Sequence, residues 1–187
     1  MSNLVEGILG QLGSGGIAQI AGALGSDNDT TNSAVAAAIP AILAGMAKNS
    51  SNEQGAQSLT TALADHDNSV FGQLGDLLGG GGDGAKILSH VLGSKQPQVA
   101  QNLAGSSGLN VNSIMKLLPV LAPLVMGFLS KQKQSQGLDA NGVGSLLNGD
   151  REENEKASPG LGGLAAILDS DGDGSIVDDI IGKFSGN

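Results

Sequence analysis

The chain contains no cysteine, tryptophan or tyrosine, and phenylalanine occurs only three times in 187 residues. The lack of cysteine excludes disulfides, thiolate nucleophiles and metal sites built on thiolates. Because large aromatic side chains are scarce, alanine and leucine supply most of the apolar volume. The chain also contains 31 glycines. Helices of small residues can approach closely, so we predict a tightly stacked helical core. Glycine raises the entropic cost of folding, so we expect modest stability, or stability gained from an ion or from self-association.

Positive charge is also scarce. Lys and Arg number nine against 18 Asp and Glu, and the net charge is −9. Nucleic-acid binding requires clustered Lys and Arg, so this composition argues against nucleic acid and against anionic membrane surfaces. The N-terminus has no basic leader, and the apolar runs at 34–47 and 117–129 are shorter than the roughly 18–20 residues of a membrane span. We therefore expect a cytoplasmic protein without a membrane span.

Two parts of the chain resemble each other. "ILGQL" (8–12) matches "ILSHV" (87–91), "QIAGALG" (19–25) matches "QVAQNLAG" (98–105), and Pro40 pairs with Pro119, all at an offset of 79. The apolar segment around Pro40 then matches the segment around Pro119 and Pro123, with extra residues in the second copy. In each copy we expect a short helix, a Gly or Ser break, a second helix, and a polar turn whose Thr, Asn or Ser caps a third helix. The third helix should be buried, and each proline should kink or break it.

These features predict an all-α protein with two tandem units of short helices and kinked apolar central helices. The units cover residues 1–78 and 85–148, and the Gly-rich stretch 79–84 is a hinge between them. The segment 149–160, "GDREENEKASPG", is dense in charge and should be a solvated linker. Residues 161–187 then form an EF-hand-like helix–loop–helix hairpin.

The loop of this hairpin, within "LDSDGDGSIVDDII" (168–181), is a candidate calcium site. Calcium takes six to eight oxygen ligands, and the loop motif D-x-[DN]-x-[DN]-G is present. An EF-hand has a bidentate Glu at loop position 12, where this chain has Ile180, so we expect low affinity. The candidate ligands are Asp169, Asp171, Asp173, Ser175, Asp178 and Asp179. The alternatives are a bare acidic turn that favours a helix N-terminus, or a magnesium or manganese site.

Two other stretches resemble this loop but have fewer acids. "LDANGVGSLLNG" (138–149) retains Asp139 and Asn141, and "DHDNSVFGQL" (65–74) retains Asp65 and Asp67. We interpret the shared part as a tight turn with a serine that caps a helix, and we assign a cation only to the last copy. A metal cluster at Asp65, His66 and Asp67 is a minor alternative.

Motifs for catalysis are absent from the sequence. No G-x-S-x-G elbow opens a strand-to-helix unit, and "GGGGDG" (79–84) lacks the Lys and Ser/Thr of a phosphate loop. Neither His66 nor His90 can be assigned to a particular serine and aspartate. We expect no enzyme, and a convergent polar cleft around either histidine would favour the opposite conclusion.

The early "GILGQLGSGGIAQIAGALG", the helices "AAIPAILAGMAKN" and "LLPVLAPLVMGFLSKQ" and the terminal acidic loop together resemble the YidB-like bacterial family of domains of unknown function. The resemblance implies an all-helical bacterial protein and no established activity. Our first hypothesis is a non-enzymatic helical protein that self-associates into a homo-oligomer or binds a protein partner, with calcium ordering its C-terminal hairpin. The second is a calcium-responsive regulator whose tail docks on demand, and the third is an enzyme of unknown chemistry.

Overall fold

The computed structural model describes residues 4–157, and every regular element in that range is helical. The α-helices are α1 (Leu4–Leu24), α2 (Asn28–Asn49), α3 (Glu53–Ala64), α4 (Leu74–Leu78), α5 (Gly84–Val91), α6 (Gln96–Ser107), α7 (Val111–Gln136) and α8 (Ala140–Ala157). Short 3-10 segments at Asn68–Gln73 and Gly93–Lys95 precede α4 and α6. The predicted all-α class is confirmed for this part of the chain.

A backbone break divides α1 at Gly13, where φ is 58° and ψ is −178°. Side chains rarely tolerate this conformation, so glycine is the residue that allows the break. α1 therefore consists of a short helix, a glycine break and a second helix.

Asp and Asn side chains begin the two long apolar helices. Asp27 accepts a hydrogen bond from the Thr30 amide at 2.8 Å before α2, and Asn110 accepts one from the Ser113 amide at 2.9 Å before α7. The Thr30 amide also holds the pKa of Asp27 below its ordinary value. The predicted cap is confirmed in the second turn, where it is Asn110, whereas in the first turn an aspartate takes the place of the predicted Thr, Asn or Ser.

α7 is the central helix and packs against α1 through α6. All of its residues from 120 to 130 are buried, and α2 crosses the same core with Ala34, Val35, Ile39 and Ile42 fully enclosed. Both helices are apolar on nearly every side, so they bury their surface only in the middle of the bundle. The prediction of buried central helices is confirmed for α2 and α7.

A kink or a break was expected at each proline of the central helices. The helices continue through Pro40, Pro119 and Pro123, so the break does not occur. Pro123 has no N–H, and the carbonyl of Pro119 therefore receives no helical hydrogen bond from it. The first residue of α5, Gly84, lies directly against this carbonyl. A Cβ added to Gly84 would be 1.8 Å from the Pro119 oxygen.

The two predicted units share one hydrophobic core, to which α1 and α2 contribute together with α5, α6 and α7. Gly84, which the sequence placed in the hinge, is buried as the first residue of α5. α8 extends to Ala157, so residues 149–157 are helical where the sequence predicted a linker. Glu, Lys and Arg are good helix formers, and high charge therefore did not distinguish a solvated helix from a linker.

By length and composition alone, α2 and α7 could each cross a membrane. Their polar ends extend the apolar runs recognised in the sequence. In the most apolar window of each helix, 61% of the residues of α2 and 83% of those of α7 are buried inside the described fold. The core helix of a soluble protein passes the same test.

Candidate functional site

The six candidate calcium ligands lie outside the described residues, as does the whole predicted EF-hand-like hairpin. Within residues 4–157, no three His, Asp or Glu side chains are grouped so that they could hold a metal ion. Asp65, His66 and Asp67 therefore form no such cluster.

The two acid-poor relatives of the calcium loop have a capping role. Asp139 accepts a hydrogen bond from the Gly142 amide at 2.8 Å and begins α8. Asp67 accepts hydrogen bonds from the hydroxyl and the amide of Ser69, which lower the pKa of its carboxyl group. The capping group is thus the aspartate, whereas the sequence interpretation assigned it to serine. The oxygens of a carboxylate accept hydrogen bonds from backbone amides, which suits an aspartate to this position.

A groove of about 740 Å³ runs between α3 and α5, and both histidines of the chain line it. Leu59 and Ala62 of α3 face Ile87 and Val91 of α5, and all four are partly exposed. Beneath them lie Met46 of α2 and Met126 of α7, which are 1% and 3% exposed. The polar residues of the lining are Asn49, Asn52, Gln54, Ser58, Asp65, His66, Asp83, Lys86, Ser89 and His90.

Polar contacts are made at both ends of α5. At one end, the amide nitrogen of Asn49 donates to the carbonyl oxygens of His90 and Val91, at 2.8 and 3.2 Å. At the other end, His66 Nε2 lies 3.4 Å from Asp83 Oδ2. The side chains between these ends are not bridged by any hydrogen bond from wall to wall in the described part, so the groove remains open to a ligand along its length.

Two glycines bring the helices close at the Asn49 end. A Cβ on Gly55 would lie 1.7 Å from the Asn49 carbonyl oxygen, and one on Gly45 would lie 2.7 Å from Val91 Cγ1. α3 and α5 are therefore both fixed to the end of α2 by backbone-close packing. The groove lies between them.

A polar cleft around either histidine was the feature that would favour an enzyme. Both histidines of the chain do line this groove, together with other polar side chains. A serine nucleophile would need a hydrogen bond to an imidazole. The Ser58 hydroxyl donates instead to the Gln54 carbonyl at 2.9 Å, and no serine within residues 4–157 is hydrogen-bonded to His66 or His90. His66 is used to join the walls through Asp83.

Sequence reasoning found the two histidines but missed the groove. The pairs that define it, Asn49 with His90 and His66 with Asp83, are 41 and 17 residues apart. The only local signal was the helical spacing of Leu59 with Ala62 and of Ile87 with Val91, which indicates apolar faces without showing that they oppose each other.

Comparison with known proteins matches most of the described chain to a family. A family model described as "Bacterial protein of unknown function (DUF937)" matches residues 6–132, which extend from the first turn of α1 nearly to the end of α7. No curated protein and no solved structure matches the chain. The matched region contains the whole groove, whereas α8 and the predicted calcium loop lie beyond it.

Proposed function

The chain belongs to the DUF937 family of bacterial proteins of unknown function, and we propose that it is a non-enzymatic helical protein that self-associates or binds a protein partner through the α3–α5 groove. The family assignment agrees with the YidB-like resemblance found in the sequence. The observation that carries the proposal is the groove itself, with partly exposed apolar walls over two methionines and polar contacts at both ends of α5.

A groove of this kind suits the apolar face of a helical segment. Amphipathic helices bind in hydrophobic grooves through a few apolar anchors, and the unbranched, polarisable side chain of methionine adapts to different anchors. Leu59, Ala62, Ile87 and Val91 are partly buried already, so an occupant would complete their burial. The proposal assigns no reaction to the two histidines.

We infer further that the fold consists of two copies of one unit. Gly25, Asp27, Pro40 and Lys48 each have a counterpart 83 residues later in Gly108, Asn110, Pro123 and Lys131. Gly25 and Gly108 both have positive φ, and Asp27 and Asn110 are both helix caps. This alignment of α2 with α7 needs no gap, and it pairs Pro40 with Pro123, whereas the sequence alone paired it with Pro119. The extra residues then lie at the end of α6.

We also propose that a calcium ion orders the C-terminal hairpin through Asp169, Asp171, Asp173, Ser175, Asp178 and Asp179. Three aspartates that alternate with small residues exceed what a helix cap needs, and together they would repel one another without a cation. The bare acidic turn remains the alternative, and it gains support from Asp139, the sequence counterpart of Asp169, which acts only as a cap.

Two further functions stay as alternatives. One is a calcium-responsive regulator whose C-terminal tail docks on demand, and the other is an enzyme of unknown chemistry that uses the histidines of the groove. We also propose a cytoplasmic location, because α2 and α7, the two helices apolar enough to cross a membrane, are largely buried inside the described fold.

Photo-crosslinking of the purified full chain tests the proposal. A photoreactive benzoylphenylalanine replaces Ser58 in the groove, and a control variant carries it at Ser106 on α6. The two sites are matched, because both serines are exposed and both donate to the carbonyl four residues earlier in their helix. We expect crosslinks to polypeptide from position 58 and few from position 106.

The nature of the product distinguishes the proposals. A covalent dimer from position 58 supports self-association, and a crosslink only within the chain supports the regulator with a docking tail. If position 58 yields no more crosslinked product than position 106, the groove binds neither a second copy nor a segment of this chain, and self-association through it is wrong.

A further inference from the structure

We propose that the occupant of the α3–α5 groove, in the absence of a partner, is the apolar C-terminal segment of the same chain, residues 161–187. This inference rests on the proposed function, since it assumes that the groove binds an apolar helical segment. It adds the identity of that segment and implies that a partner must displace it.

The segment requires a surface to cover it. Its apolar residues are spaced as on short helices and comprise Leu161, Leu164, Ile167, Leu168, Ile180, Ile181 and Phe184. A stretch of fewer than 30 residues cannot build a core of its own, so these side chains gain burial only by packing against another surface. Their number and spacing suit the two opposed apolar walls of the groove.

The packing of α8 favours docking within the chain. α8 packs against α2 and α3, and α3 is one wall of the groove, so the C-terminal segment continues from a helix that lies against this wall. Each extended residue spans about 3.3–3.6 Å, and a body of this size has a radius of gyration of about 15 Å. The segment can therefore reach the groove from the end of α8.

Connectivity favours the chain's own segment over that of a second copy. A tethered segment acts at an effective concentration on the order of millimolar when its linker can span the distance. A free second copy reaches this level only in concentrated solution, and two chains of net charge −9 also repel each other.

Methyl NMR of the full chain in the presence of calcium tests this proposal. The chain has four methionines, and Met46 and Met126 lie in the groove, whereas Met115 is 37% exposed on the first turns of α7. The methionine methyls are labelled with carbon-13, and a nitroxide is attached through Ser185→Cys. Since the chain has no native cysteine, this is the only attachment point.

We expect the nitroxide to broaden the Met46 and Met126 methyl signals well beyond that of Met115. Without the nitroxide, Phe184→Asp should shift the signals of Met46 and Met126 and leave that of Met115 in place. Equal broadening of all three signals, or none, would overturn the proposal. A sample that mixes nitroxide-bearing unlabelled chains with labelled chains free of nitroxide identifies the source, and broadening there would overturn docking within the chain in favour of a second copy.

Failure of this proposal is separable from failure of the proposed function. If the nitroxide leaves the groove methionines unaffected while position 58 still crosslinks to a second chain, the groove binds polypeptide but not this segment. If neither effect occurs, docking of this segment and self-association through the groove are both wrong.

Discussion

At the scale of single residues, glycine determines how closely the helices of this bundle approach. Gly84 lies against the carbonyl of Pro119, which Pro123 leaves without a helical donor. The backbone of α5 can reach this point only because no Cβ stands between the two helices. Gly84 therefore permits backbone-close packing of α5 on α7 at the prolines.

We predict that Gly84→Ala destabilises the protein by about 1–3 kcal/mol, the usual cost of forcing extra volume into a packed interior. The added methyl would lie 1.8 Å from the Pro119 oxygen, so α5 would have to move away from α7. Denaturant unfolding measures the change in the free energy of unfolding.

Gly22→Ala is the matched control, because Gly22 is exposed within α1 and a Cβ there would meet nothing within 4 Å. Alanine should stabilise that helix by about 0.5–1 kcal/mol. If the two variants change stability in the same direction, the close approach at Gly84 is not what holds α5 in place.

The role of a residue could be predicted from the sequence only where that role depends on its neighbours along the chain. Asn110 caps the helix that directly follows it, and its polar turn predicted that role. Gly84 appeared to belong to a flexible linker, since "GGGGDG" gives no indication that its last glycine meets a helix 35 residues further along. Contacts of that kind depend on the tertiary fold, and one sequence does not contain them.

At the scale of elements, α8 closes the N-terminal end of α1. The amide of Leu4 donates to Asp150 Oδ1 at 2.9 Å, and Asp150 is only 6% exposed. A helix begins with amides that lack internal partners, and a carboxylate at that end also interacts favourably with the helix dipole. α8 thus provides α1 with a cap from the far end of the described chain, beyond the region that the family model matches.

We predict that Asp150→Ala lowers the free energy of unfolding by about 1–3 kcal/mol, because it leaves a buried amide without its acceptor. Asp150→Asn should cost less, since the amide oxygen can still accept the hydrogen bond. Asn148→Ala is the control, because Asn148 is exposed on the same helix. Denaturant unfolding ranks the three variants, and amide exchange at Leu4 reports the local effect. Equal stability of Asp150→Ala and Asn148→Ala would refute a capping role for Asp150.

The sequence predicted element type better than element extent. The apolar runs at 34–47 and 117–129 marked α2 and α7, yet the helices extend to 28–49 and 111–136 because polar residues at both ends are helical too. α8 was missed over 149–157 for the same reason, since a charged, solvated helix and a charged linker have the same composition. Apolar periodicity locates the buried part of a helix and says little about the rest.

At the scale of the whole molecule, the groove is the space between α3 and α5, both of which are held against α2. Gly55 of α3 packs against the Asn49 carbonyl at the end of α2, while the Asn49 side chain donates to His90 of α5 and Val91 packs against Gly45. No short stretch of sequence encodes that arrangement, which is why the histidines were identified and their common site was not. The predicted hairpin and its calcium loop lie outside the described residues. Whether they contact the helical body must therefore be tested by asking whether calcium binding to the loop stabilises that body.

Calcium provides that measurement, because a ligand stabilises the whole fold only when its site is coupled to the fold. For a site with a dissociation constant of 10⁻⁴–10⁻³ M, calcium at about 10 mM would stabilise the bound state by roughly 1.4–2.7 kcal/mol. If the hairpin docks on the body, we predict that calcium raises the thermal midpoint of the full chain. Magnesium should have less effect, since it prefers a small octahedral site.

Two variants isolate the site. Asp171→Asn combined with Asp173→Asn should abolish the rise in the midpoint. Asp139→Asn should retain it, because asparagine can still cap α8, as Asn110 does for α7. Calorimetric titration separates binding from coupling. Calcium that binds without raising the midpoint orders a hairpin that is independent of the body, and this would contradict docking, while the absence of binding would leave the acidic loop as a helix cap.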